Sequence, residues 1–132
     1  MDQTKLTIIR AARDMARADG RLHRNERKVL RLIAEAEQLT AEEKAVLQRT
    51  SEAVEISELA RLLPEPVDRV RLMELSILVA MADGVESPQE LDRLRQISAQ
   101  LALDKQDVSV CLERARERFF DLTREWEEAD GE

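Results

Sequence analysis

Aromatic side chains are nearly absent from this sequence: Phe119, Phe120 and Trp126 are the only three in 132 residues. A core of any size must therefore be built from aliphatic side chains and alanine, as in closely packed helical bundles. Three glycines and three prolines are too few to supply the frequent turns that strands require, and 37% charged residues suit helix surfaces. A single cysteine, Cys111, excludes an internal disulfide and a cysteine-cluster metal site, and fits a reducing compartment. The charged N-terminal stretch has no apolar block of the signal-peptide kind. The longest apolar run, residues 72–82, is too short to span a bilayer. The expectation is a cytoplasmic protein. Serine-nucleophile motifs, P-loops and dinucleotide fingerprints are missing, which points away from an enzyme.

Acid and base are present in quantity but unevenly placed. The net charge is −7, yet residues 1–31 carry nine Lys/Arg against four Asp/Glu, a balance of +5, and the remainder carries twelve against twenty-four, a balance of −12. The chain has a basic end and an acidic end.

Helical periodicity runs through most of the sequence. Asp2 is placed to cap a first helix with Leu6, Ile9, Ala12 and Ala16 on one face, stopping at Gly20. A second helix is expected from near Arg24, burying Val29, Leu30, Ile33 and Ala36. Thr40 and Glu43 form a capping box for a third helix reaching about Thr50, and a short fourth covers Ser57–Leu63 before Pro64 and Pro66. The fifth, about Pro66–Ala82, is apolar nearly all round and should be the buried central helix. Ser87 and Glu90 form a second capping box, with Leu91, Leu94, Ile97, Ser98 and Leu101 on the inner face of the sixth helix. Asp104 caps the seventh, which runs to about Trp126 with Val108, Leu112, Ala115, Phe119, Leu122 and Trp126 in a stripe and Phe120 beside it, exposed. That stripe either lies across the bundle or forms a seam with a partner. Cys111 beside it reads as a small buried hydrophobe.

Two nine-residue stretches have the same form: Ala18-Asp19-Gly20 followed by Glu26, and Ala82-Asp83-Gly84 followed by Glu90. Each resembles the second half of an EF-hand loop, but the earlier ligand positions of the first copy would fall on Met15 and Arg17, which cannot hold calcium. Shifting the sequence by 64 residues aligns 8–43 with 72–107 at nine identities, clustered on these turns and on one helical face. The expected architecture is all-α: a single compact domain over 1–132, a bundle of about seven helices built from two pseudo-symmetric helix–DG turn–helix repeats, about 4–50 and 66–128, with a linker at 51–65.

The two Ala-Asp-Gly turns, the glutamate after each, and the segment from Leu62-Leu63-Pro64 to Ala82-Asp83-Gly84 resemble the tellurite-resistance TerB family and the TerB-like domain of DjlA-type co-chaperones. That resemblance implies an all-α bundle, a non-enzymatic role in bacterial stress response, and divalent-metal binding.

Two candidate sites follow. Asp83, Glu86 and Glu90 offer oxygen donors suited to Ca2+ or Mg2+, with Asp19 and Glu26 offering fewer beside Arg21 and Arg24. The same residues also have local roles, since Gly20 and Gly84 can close helix ends, the aspartates can accept turn N–H groups and Glu90 completes a cap. Arg21, Arg24, Arg27, Lys28 and Arg31 share one helical face, either solvated or docked on something anionic: an acidic protein partner, a phosphate, lipid head groups, or the acidic half of a second copy. No aromatics interleave with this stripe, so sequence-specific nucleic-acid reading is not expected. His23, the sole histidine, reads as an exposed cap residue. A protein–protein adaptor using the basic face or the long last helix is the alternative function.

Overall fold

The computed structural model describes residues 3–17, 28, 31–49, 52–82 and 88–130, with the backbone alone for residues 16, 17, 82, 90 and 125–130. Among the described residues every regular element is helical. The helices are α1 (Gln3–Arg13), α2 (helical at 31–36), α3 (Ala41–Arg49), α4 (Leu59–Leu62), α5 (Pro66–Ala82), α6 (Pro88–Gln100) and α7 (Lys105–Asp130). Single 3-10 turns lie at Asp14–Arg17 and Ile56–Glu58. None of the described helices is long and apolar enough to cross a membrane.

The all-α expectation holds, and α5 is the element around which the others pack: α1, α6 and α7 all lie against it. Leu72, Leu75, Leu78 and Val79 of α5 are fully buried, and Met73 and Ile77 nearly so. They meet Ile8, Ile9 and Ala12 of α1, Leu32 and Ile33 of α2, Ile97 of α6, and Cys111 and Ala115 of α7 in one continuous core. Small residues on α1 and α7 allow close approach without aromatics.

The helix starts follow the sequence closely. The Thr40 N–H donates to Glu43 Oε1 at 2.9 Å, and the Glu43 N–H donates to Thr40 Oγ1 at 3.1 Å, the reciprocal bonds of a capping box. At α7 the Asp107 N–H donates to Asp104 Oδ1 at 2.7 Å, and the Asp104 N–H returns to Asp107 Oδ2 at 3.3 Å. The Ser87–Glu90 cap lies outside the described side chains.

Two helix ends share a geometry that no glycine marks. Gln38 and Ala102 both adopt positive φ, 50° and 55°. After α2 the Leu39 N–H donates to Ala34 O and the Gln38 N–H to Glu35 O; after α6 the Leu103 N–H donates to Ser98 O and the Ala102 N–H to Ala99 O. This is the Schellman arrangement, with the following leucine supplying the apolar contact. The two turns stand 64 residues apart.

Four boundaries or placements differ from expectation. The first α-helix ends at Arg13 and tightens into a 3-10 turn, where Asp14 turns its carboxylate into the interior. The segment expected as α-helix over Ser57–Leu63 begins with a 3-10 turn, and its α part covers only Leu59–Leu62. The last helix continues past Trp126 to Asp130. Leu91 is 41% exposed rather than buried, whereas Leu94 packs against the core and Ile97 and Leu101 lie within it.

Ser76 is fully buried on α5, and its Oγ makes no hydrogen bond among the described residues. Ser76→Ala removes that unmet group and improves helix propensity, so it should stabilise the protein by about 1 kcal/mol. Leu78→Ala opens a cavity in the same helix and should cost about 3 kcal/mol. Urea unfolding of both variants checks the pair. Glu43 gives a pH-dependent counterpart. The Thr40 backbone N–H, aided by Lys5 Nζ at 3.2 Å, holds its carboxyl below the usual range. A lowered folded-state pKa adds stability above the unfolded pKa and loses it as pH falls through the folded value. Wild type should therefore melt higher than Glu43→Gln at neutral pH, and the gap should close on acidification.

Candidate functional site

The interior polar cluster lies where the Asp14–Arg17 turn packs against α6. Asp14 is 3% exposed, and its Oδ2 accepts the Val54 N–H at 2.8 Å. Its Oδ1 makes no hydrogen bond among the described residues. Two guanidinium groups flank it, Arg13 Nη2 at 3.8 Å from Oδ1 and Arg93 Nη2 at 3.9 Å from Oδ2. Arg13 also donates from Nη1 to Leu47 O at 2.8 Å, and Arg10 Nη2 donates to Glu52 O at 2.9 Å. These bonds fasten the end of α1 to the end of α3 and to the strap before α4. With two cations to one anion, the cluster repels a metal ion and serves as a clamp.

Arginines perform the same service elsewhere. Arg69, on α5, donates from Nε to Leu63 O at 2.7 Å, from Nη2 to Ala60 O at 3.1 Å and from Nη1 to Leu101 O at 3.2 Å, closing the C-terminal carbonyls of α4 and α6. Arg118, on α7, donates from Nη2 to Ala36 O at 2.7 Å, closing α2, and from Nη1 to Glu74 Oε1 at 3.0 Å. A helix end leaves carbonyls without partners inside the helix, and here long cationic side chains from other helices meet them. None of these roles was anticipated from the sequence. The available clues were a lone arginine at the inner end of the apolar face of α1, and Arg69 at the start of the most apolar helix.

The metal candidates fall largely outside this description. Asp19, Glu26, Asp83 and Glu86 lie outside the described residues, and Glu90 is described only as part of the α6 backbone. Among the described residues no three His, Cys, Asp or Glu side chains converge as a metal ion would need. The elements bordering the two turns are nonetheless neighbours. The 3-10 turn ending at Arg17 leads into Ala18, α6 follows directly from Ser87, and the two elements pack together.

Of the basic face, Lys28 is exposed, and Arg31 is exposed and paired with Glu35 Oε1 at 3.2 Å. Arg21, Arg24 and Arg27, like His23, lie outside the described residues. Cys111 is fully buried with its Sγ 3.7 Å from Val70 O, and burial raises its thiol pKa. It is a packing residue.

Sequence reasoning missed one further feature. A groove of about 360 Å³ runs between α5, α6 and α7. Met73, Ile77 and Met81 line it from α5, Leu91 and Leu94 from α6, and Leu112 from α7, with Arg95 and Arg116 also on its walls.

The family model for Tellurite resistance protein TerB matches residues 35–112, more than half of the chain, from the end of α2 to the buried Cys111. The chain belongs to the TerB family. No curated protein and no solved structure matched it. The matched span holds α3 to α6 and the first turns of α7, and so includes the second Asp-Gly turn and the residues lining the groove except Arg116.

Removing the buried carboxylate tests the clamp. Asp14→Ala strands the Val54 N–H and leaves Arg13 and Arg93 facing each other without an anion. A loss of about 3–5 kcal/mol is expected in chemical unfolding, against a smaller loss for Asp14→Asn, whose amide oxygen still accepts from Val54.

Proposed function

We propose that this TerB-family chain is a non-enzymatic binding module of the tellurite-resistance type, acting in stress response. Its ligand is a divalent cation, Ca2+ or Mg2+, held weakly at the second Asp-Gly turn by Asp83, Glu86 and Glu90. Asp19 and Glu26 of the first turn offer a poorer set of donors. The supporting observation is the packing of the Asp14–Arg17 turn against α6, which makes neighbours of the chain segments bordering the two turns. Carboxylate oxygens are the donors these hard cations prefer. Weak binding follows because full calcium coordination needs about six to eight oxygens, which the second turn's three carboxylates reach only if every one binds through both oxygens. The second turn dominates because Arg21 and Arg24 set positive charge beside the first.

Amide shifts followed by NMR during a calcium or magnesium titration decide the matter. Saturable shifts at Asp83–Glu90 at millimolar metal are expected, reduced by Asp83→Asn and Glu90→Gln and little changed by Asp19→Asn. A spectrum unmoved around these residues at millimolar metal sinks the reading.

A further inference from the structure

We infer that the groove between α5, α6 and α7 is a self-association surface, covered in solution by the α7 helix of a second copy in antiparallel, twofold-symmetric pairing. Its floor is apolar, and Leu91 stands on its wall 41% exposed. Along α7 the wall continues at a spacing of four, through Val108, Leu112 and Arg116 to Phe120, which is 63% exposed. Arg116, Glu117, Phe120 and Asp121 form a shallow depression that shares Arg116 with the groove. The apolar surface of the groove therefore gives way at Arg116 to a charged stretch of α7, in which Phe120 is the one apolar side chain among Arg116, Glu117 and Asp121. In a chain with three aromatic residues, one of them lies bare on this stretch. An exposed apolar groove with polar margins is the usual mark of an interaction site.

The charges identify the occupant. Arg95 and Arg116 on the groove walls, and Glu113 and Arg124 on the open face of α7, make no side-chain ion pair among the described residues. The complement to the groove's arginines is in the same chain. The last turns of α7 carry Glu125, Glu127, Glu128 and Asp130 around Trp126. The α7 helix runs about 20 Å beyond Arg116 at 1.5 Å per residue, so its own tail extends away from its own groove.

An antiparallel contact with its twofold axis between residues 118 and 119 places Glu113 opposite the second copy's Arg124. Phe120 falls within a turn of the second copy's Arg116, a distance suited to cation–π contact. The same register carries the acidic end of each helix over the other copy's groove, toward Arg95. One twofold operation fills both grooves, so the contact closes as a dimer rather than growing as a filament.

Sedimentation velocity across a dilution series tests this. A dimer that dissociates on dilution is expected, weakened by salt because exposed charges contribute. Phe120→Asp, and separately the double variant Arg95→Glu with Arg116→Glu, should each weaken dimerisation by about tenfold or more. All three positions are at the surface or on the groove walls, so thermal melts of the diluted monomers should match wild type. A wild-type chain that stays monomeric at every concentration overturns the inference. So does a dimer that both variants leave intact.

Discussion

The burial of α5 imposes the arrangement of its neighbours. A helix apolar over almost its whole circumference gains only when other helices remove each side of it from water. α1, α6 and α7 do this, and α2 adds Leu32 and Ile33 to the same core. Because the chain has so few aromatic residues, the helices fit by approaching closely, with Ala11, Ala12, Ala115 and Cys111 at buried positions where larger side chains would hold them apart. Packing of this kind is sensitive to single methylene groups.

Close packing of short helices creates a second problem, since several helix ends fall inside or against the bundle. Their starts are closed locally, by Thr40 with Glu43 and by Asp104 with Asp107. Two of their ends are closed by left-handed turns at Gln38 and Ala102. The remaining carbonyls are met from a distance by Arg13, Arg69 and Arg118. Each such bond also joins two helices, so one side chain both satisfies the backbone and fixes the relative placement of elements.

What the sequence made legible follows this division between local and distant. Helix class, the central place of α5, the caps at Thr40 and Asp104, the burial of Cys111 and the exposure of Phe120 all depend on residues within one or two turns of each other. The left-handed turns escaped notice because glutamine and alanine occupy positions where glycine is the customary residue. Leu91 was misplaced because its position fits the helical period, while in the structure it stands on the wall of an open groove. The arginine bonds were invisible for a related reason. Arg69 meets Leu101, and Arg118 meets Ala36, across sequence separations that periodicity does not span. Of the candidate site, the sequence supplied the acidic turns, and only the structure supplied the groove.

The arginine bonds have a consequence for acid tolerance. A guanidinium keeps its proton throughout the range in which proteins work, and a peptide carbonyl has none to gain. The bonds from Arg69, and those from Arg13 and Arg118 to backbone oxygens, therefore do not titrate. The Glu43 carboxylate that caps the start of α3 does. Acidification should consequently loosen the two ends of α3 unequally: its first turn frays while Leu47, near its last turn, stays tied to Arg13 of α1. The bundle would keep the helix-to-helix connections made by Arg13, Arg69 and Arg118 after the α3 cap had gone.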